Sequence, residues 1–365
     1  LILEKERYLR KIKLVISDLH IGKGVFDETG KFNEQEDFRE DVKFIEFINY
    51  YGGRRFFHDE VELIINGDFF EMLIIDDRDP VTNRETELSA LWKVQKIFDG
   101  HKEILDALWT FSARPNNRVT FLPGNHDSGL LWPKVQKYII GRIGPSTRFF
   151  EKYYSFAGIY VEHGNQHEFL HAFNSRNFTY RDARGDYVFR MPWGSIFVME
   201  FLSSMKKYRH YIDKVKPFKI YLKYAFINDN SFFWKILFGI VRFWLRNRFS
   251  RDPVRRREFS LSPNRIMHAM THESMDEGAF NILKNTNYRY VIFGHSHKGS
   301  HQRYGAYGEY LNTGTWTETI SLEIANLGRS VERTFAYIDC TDEENPDVHL
   351  KRWNGQYQMV EDILM

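Results

Sequence analysis

Residues 118–127 read RVTFLPGNHD. Val119, Phe121 and Leu122 suit a pleated, buried strand, and Pro123-Gly124 cannot continue one. The polar residues Asn125, His126 and Asp127 follow directly. The same event recurs four times. Residues 13–17 (KLVIS) stop at Asp18-Leu19-His20, and residues 61–65 (VELII) stop at Asn66-Gly67-Asp68. Residues 158–161 (GIYV) stop at Glu162-His163-Gly164, and residues 288–293 (YRYVIF) stop at GHSH, residues 294–297. Strands of an α/β layer present their carboxyl ends along one edge, where ligands bind. Five clusters distant in sequence can therefore converge on one site, and the fold class expected is α/β. Gly67, Gly124, Gly164 and Gly294 sit in these clusters, where a sharp turn or close backbone approach is needed.

The converging residues are two carboxylates (Asp18, Asp68), four imidazoles (His20, His163, His295, His297) and one amide (Asn125), with His126 beside them. A single D-x-H or a G-D at a strand end reads as an ordinary turn. The whole series, each member after a strand, does not, because buried His and Asp are costly unless paired or metal-bound. Nitrogen and oxygen donors without sulfur suit Mn, Fe, Zn or Co better than Ca or Mg. The one cysteine, Cys340, leaves no cysteine cluster and no intrachain disulfide. Seven donors suffice for two divalent ions sharing a carboxylate, with manganese the leading expectation. Ions roughly 3.5–4 Å apart clamp the attacking and leaving oxygens of a phosphoryl displacement and acidify bound water.

The series D-x-H, GD, GNHD, HG and GHxH resembles the calcineurin-like metallophosphoesterase superfamily over residues 13–168 and 288–353. The resemblance implies a four-layer αββα sandwich with a dinuclear site at the strand ends. It implies that Asp18, His20 and His297 hold one ion, that Asn125, His163 and His295 hold the other, and that Asp68 bridges them. It also implies that His126 protonates the leaving oxygen or stabilises transition-state charge. Asp127 then either orients His126 or caps a helix. After Asp68 the chain lacks the Arg clamp of protein Ser/Thr phosphatases. GDFFEMLIIDD, residues 67–77, is instead similar to the GDxFExWxGDD pattern of UDP-2,3-diacylglucosamine pyrophosphohydrolases. The chain departs from typical members at His126, where they carry Arg, and at Asn165, where they carry Asp.

Residues 1–168 and 288–365 form the expected catalytic domain, and residues 169–287 an inserted, mainly helical cap. A loop that long without structure of its own would be unusual. Residues 206–257 hold 15 Lys and Arg against 3 Asp, although the whole chain carries a net charge of only +2 and is no bulk polyanion binder. In FFWKILFGIVRFWLRNRF, residues 232–249, Lys235, Arg242 and Arg246 share one side of a helix and the rest is apolar over a wide arc. One reading is a cap core helix with its charges in solvent. A second is a helix lying in a membrane interface. A third, less favoured, is nucleic-acid binding by stacking. His167, His171, His210, His268 and His272 read as cap or surface residues. Residues 1–20 are interrupted by charge, unlike a signal peptide, and no stretch of 18 residues lacks charge, as a spanning helix would require. The expected location is the cytoplasm, peripheral at the inner face of the membrane.

The expected reaction is hydrolysis of a phosphoester or pyrophosphate. The favoured substrate is a lipid- or nucleotide-linked phosphodiester or pyrophosphate at a membrane surface, and the alternative is a nuclease or soluble small-molecule phosphodiesterase. A non-catalytic scaffold is disfavoured, since all seven ligand types and His126 are present.

Overall fold

The structure, a computed structural model, describes residues 9–26, 29–75, 84–260, 275–324 and 327–356, with the backbone of 361–362. Its strands are β1 (Lys11–Ile16), β2 (Glu60–Asn66), β3 (Asn117–Leu122), β4 (Thr147–Phe149), β5 (Tyr153–Phe156), β6 (Ile159–Glu162), β7 (Thr179–Arg181), β8 (Tyr187–Phe189) and β9 (Val215–Lys216). They continue with β10 (Tyr290–Phe293), β11 (Gly299–Arg303), β12 (Glu309–Thr313), β13 (Thr319–Ser321), β14 (Gly328–Ser330), β15 (Thr334–Asp339), β16 (Asp347–Arg352) and β17 (Glu361–Asp362). One sheet runs β17-β16-β15-β1-β2-β3-β4 and a second runs β11-β12-β10-β6-β5. β1 to β4 are parallel neighbours, as are β6, β10 and β12.

Side-chain alternation explains the layers. Ile12, Leu14, Ile16, Val61, Leu63, Ile65, Val119 and Phe121 pack outward on α1 (Asp41–Tyr51), α2 (Glu87–Gly100), α3 (Lys102–Ser112) and α4 (Pro133–Ile143). Their alternate neighbours Val15, Ile64 and Leu122 pack inward on Ile159, Val161, Ile292 and Leu311 of the second sheet. That sheet turns Tyr160, Val291, Phe293 and Tyr310 outward onto Met275, Ala279 and Leu283 of the helix Met275–Asn285. Helices, sheet, sheet and helix make the expected αββα sandwich. The helix Met275–Asn285 lies inside the 169–287 insertion by sequence yet packs as the fourth layer.

α2 ends at Gly100 and α3 starts at Lys102, with His101 between them. α1 begins only at Asp41, because the buried Glu36 ahead of it is committed to backbone donors of the loop that follows His20. Its carboxylate accepts from Gly22 N–H (2.9 Å) and Gly24 N–H (2.7 Å).

The insertion packs Phe189, Trp193, Phe201, Phe232, Ile236, Phe243 and Phe259 into a core continuous with Leu73, Ile74 and Leu131 of the body. Its helices are α5 (Trp193–Phe197), a π-helical turn (Val198–Leu202), α6 (Ser203–Lys206), α7 (Phe218–Asn228), α8 (Asn230–Arg248) and α9 (Pro253–Glu258). β7 and β8 form a hairpin within it, and β9 pairs in parallel with β13 of the body. Buried Lys206 binds Asp37 of the body (2.6 Å) and Asp213 (2.7 Å), and Lys214 also reaches Asp37 (3.1 Å). No helix among the described residues is long and apolar enough to cross a membrane. His268, His272, Asp76 and Asp77 lie outside the described residues.

His101 braces the loop behind His20. Its Nδ1 donates to Asp41 (2.5 Å), and Nε2 stands 3.7 Å from Glu36. Burial alone would lower its pKa, but Asp41 and Glu36 raise it to about 9. The folded value exceeds the unfolded one of about 6.5. Its stabilisation is therefore complete below that pH and is lost as pH rises through about 9. His101→Gln should lower the melting temperature more at pH 6 than at pH 9.5. An equal loss at both would assign His101 to packing alone.

Candidate metal centre

Every expected ligand follows the carboxyl end of a parallel strand: Asp18 and His20 after β1, Asp68 after β2, Asn125 after β3, His163 after β6, His295 and His297 after β10. Five of them have left-handed backbone: Asp18 (φ 55°), His20 (49°), Asp68 (51°), His295 (67°) and His297 (60°). Such a conformation costs a non-glycine residue on the order of 1–3 kcal/mol and persists only where the surroundings over-determine it. Here the turns hydrogen-bond one another. Asp18 N–H donates to Gly67 O (3.1 Å), His20 N–H to Asp68 O (2.9 Å) and His295 N–H to Asp18 Oδ2 (2.9 Å). Thr315 Oγ1 donates to Asp18 O (2.6 Å). A methyl on Gly124 would lie 2.1 Å from Asp68 Oδ1, and one on Gly294 2.5 Å from Asp18 Oδ2, so both positions need a bare backbone.

The side chains gather in two groups. His297 Nε2 lies 3.1 Å from His20 Nε2 and 3.4 Å from Asp18 Oδ1. Asp68 Oδ2 lies 3.1 Å from His163 Nε2 and 3.9 Å from His20 Nε2, between the groups. Asp18, His20 and His297 can hold one ion; Asp68, His163 and His295 can hold another. Asp18 Oδ1, Asn125 Oδ1 and His163 Nε2 are buried and make no hydrogen bond. An unsatisfied buried polar atom costs about 1–3 kcal/mol. Three such atoms within one set of Asp, Asn and His side chains fit the binding of divalent cations.

The electrostatics agree. Against burial, His163 and His126 hold Asp68 well below the usual carboxylate range. Against burial again, Asp68 and Asp18 raise His163 to about 10, and Glu71 and Asp68 raise His126 to about 9. His163 and His126 take up protons to balance buried negative charge, a balance that divalent cations also provide, while burial and Lys216 push His297 the other way.

Glu71 was quoted in the sequence motif but given no role. Its Oε2 accepts from His126 Nδ1 (2.7 Å) and His20 Nδ1 (3.1 Å), while Oε1 accepts the N–H groups of Leu73 (3.0 Å) and Ile74 (3.2 Å). Because an ionised carboxylate only accepts, both imidazoles carry their Nδ1 protons toward Glu71, which leaves His20 Nε2 as the ligand atom. Asp127 was expected to orient His126 or to cap a helix, and its side chain makes neither bond. Its carboxylate accepts Gly124 N–H (2.7 Å) and Phe69 N–H (2.9 Å), joining the β2 and β3 loops. Burial and Asp68 push it up to about 6. Glu71, three residues beyond Asp68 amid buried Phe69, Phe70 and Met72, was the available signal: an acid in an apolar stretch needs a partner.

His171 was read as a cap or surface histidine, yet its Nδ1 is 3.3 Å from Asn125 Nδ2. Glu168, given no role, lies 2.5 Å from His295 Nε2 through Oε2. His167 pairs with Glu162 (3.3 Å) and stacks on Phe293, and His210 is exposed beside Tyr211. A cavity of about 160 Å³ runs from His20, His126 and His297 to Val198 and Leu202 of the π turn and to Lys216. Lys216 Nζ donates to Ser296 O (2.7 Å), within the GHSH turn.

The family model described as calcineurin-like phosphoesterase matches residues 13–299. No curated protein matches the chain. Among solved structures, the chain is similar to wild-type Vps29 complexed with Zn²⁺ from Entamoeba histolytica, at 9% identity and a TM-score of 0.31, over 96% of this chain and 98% of that one. The matched span contains all five strand-end clusters, so the chain belongs to the calcineurin-like phosphoesterase family, whose members bind two divalent metals.

Proposed function

We propose that this chain is a dinuclear metal-dependent phosphohydrolase, acting at a membrane surface on a lipid- or nucleotide-linked phosphodiester or pyrophosphate. Asp18, His20 and His297 would hold one ion, Asn125, His163 and His295 the other, and Asp68 would bridge them. The donor set favours manganese, with iron, zinc and cobalt as alternatives. The ions supply positive charge at the phosphoryl oxygens and an acidified water. The chain's own residues do the rest. Glu71 holds His126 by Nδ1, so the opposite nitrogen, Nε2, serves the cavity that His126 lines. That nitrogen holds a proton for the leaving oxygen. The π turn and Lys216 bound the space for the leaving group, and π turns recur at functional sites.

The observation that supports the membrane reading is the two-sided character of the cap. One side of α8 packs Phe232, Ile236 and Phe243 into the cap core. The other exposes Trp234, Leu237, Phe238, Val241 and Leu245, and the end of α7 adds Phe226 and Ile227. Phe238 is 68% exposed and Ile227 74%. Apolar surface this concentrated marks a lipid or partner face. Lys219, Lys223 and Arg242 are exposed on the same two helices. Each would add roughly 1 kcal/mol at an anionic leaflet.

His126→Ala should retain fold and metals and lose about 10²–10⁴-fold in rate on substrates with poor leaving groups. The loss should shrink with a nitrophenolate leaving group, which needs less protonation. An equal loss across leaving groups would move His126 to charge stabilisation. The full chain should co-sediment with anionic vesicles, less so at high salt, and a variant combining Ile227→Glu, Trp234→Glu and Phe238→Glu should not. A chain that ignores both anionic and neutral vesicles and hydrolyses only water-soluble phosphodiesters would refute the membrane reading.

A further inference from the structure

We infer that Glu168 and His171 are positioning residues that set the affinity of one half of the metal centre, the Asn125–His163–His295 side, and that the cap bears on that half through them. The inference rests on the metal assignment proposed above.

The two halves are supported differently. On the Asp18 side, Glu71 holds His20 from within the β2 loop. On the other side, two ligands are held by one short segment just beyond His163. The chain there folds as consecutive turns: Glu168 N–H donates to Asn165 O (3.1 Å), and both His171 N–H and Ala172 N–H donate to Glu168 O (2.9 Å each). Asn165 Nδ2 closes the segment by donating to His171 O (2.9 Å). Glu168 and His171 are thereby turned toward the centre together.

Each fixes a different ligand. Glu168 Oε2 accepts from His295 Nε2 at 2.5 Å. The His295 proton therefore sits on Nε2, and Nδ1 remains as the ligand atom. A carboxylate on the far nitrogen of a ligating imidazole also raises its basicity, and losing such a partner typically weakens metal binding about 10–100-fold. His171 acts on Asn125. Its Nδ1 can only accept from the Asn125 NH₂ group at 3.3 Å, which orients the amide so that Oδ1, buried and without a hydrogen bond, is the atom presented to the ion. The His171 ring also packs against the His295 ring, centroids 5.2 Å apart at 66°. His163, the third ligand, is fixed by its Nδ1 bond to Asn66 O (2.8 Å).

The cap meets this half-site at the start of α5. Gly194 N–H donates to Leu170 O (2.8 Å), and Ser195 Oγ donates to Asn125 O (3.3 Å). A methyl on Gly194 would lie 2.4 Å from His171 Cε1. Any side chain at position 194 must therefore move His171, and with it the amide of Asn125.

The test is Mn²⁺ titration of the metal-stripped full-length protein, counted by elemental analysis and followed by electron paramagnetic resonance. That spectrum separates a spin-coupled pair from an isolated ion. The wild type should bind two ions and show the coupled spectrum. Glu168→Ala and His171→Ala should keep one tight ion, weaken the second about 10–100-fold and give the isolated-ion spectrum at intermediate Mn²⁺. Glu168→Gln, which can still accept from His295 without the charge, should fall between Glu168→Ala and the wild type. Gly194→Ala should behave like His171→Ala, although alanine is the better helix former. The melting temperature of each metal-stripped variant should match that of the wild type. Two ions bound by Glu168→Ala and His171→Ala as tightly as by the wild type would overturn the inference, and so would equal weakening of both ions. Wild-type behaviour of Gly194→Ala would overturn its cap part. At most one ion on the wild type would overturn the metal assignment itself, and this inference with it.

Discussion

The carboxylate of Asp68 is buried where the ends of β1, β2, β3 and β6 meet, and much of the molecule is arranged around the charge it carries. One oxygen accepts the His126 backbone N–H at 2.8 Å, and the other faces His163 and His20. A buried charge without partners is very unfavourable. The imidazoles converging on it, and the cations they can hold with it, make its position tenable. The left-handed turns at Asp18, His20, Asp68, His295 and His297 follow from the same requirement. Extended backbone would carry these side chains past one another. A single reversal after each strand brings them to one point, and the hydrogen bonds between adjacent turns offset the strain. The glycines at 124 and 294 are the spaces those reversals need.

The fold was legible because the strands repeat one grammar, an apolar run and then a polar cluster, and because parallel strands share an edge. That Asp18, His20, Asp68, Asn125, His163, His295 and His297 would meet was legible for the same reason, since each directly follows a strand that ends on the shared edge. The supporting residues were less so. Glu71 carried a signal, an acid amid the buried Phe69, Phe70 and Met72, but Glu168 and His171 contact residues distant in sequence, and an isolated Glu or His has a surface reading that sequence cannot reject. Asp127 shows the converse error. Its adjacency to His126 suggested a partnership, but a strand-end turn points neighbouring side chains apart, and the acid closes two loops instead. Glu36 likewise held back the start of α1 by committing its carboxylate to Gly22 and Gly24. The sequence of α8 put its cations on one side and apolar residues everywhere else. Only packing divides that apolar arc into a core half, with Phe232, Ile236 and Phe243, and an outer half, with Trp234 and Phe238.

Two of the places where the cap is joined to the body have different consequences. Pairing of β9 with β13 and the Lys206–Asp37–Lys214 ion pairs fix it beside the His20–His297 side, where the cavity opens. The start of α5 touches Asn125 and His171 on the other side. The cavity wall thus includes His20 and His297, while Asn125 and His171 lie against the start of α5. Under the proposed assignment the two ions would sit in different environments although their ligand sets are similar.

The central claim is that seven residues from five strand ends form one two-metal centre with Asp68 shared. The most direct measurement is anomalous diffraction from a crystal of the full chain grown with Mn²⁺. The account predicts two peaks, one contacted by Asp18, His20 and His297, the other by Asn125, His163 and His295, with Asp68 touching both. A single peak, or two peaks that Asp68 does not join, would contradict it.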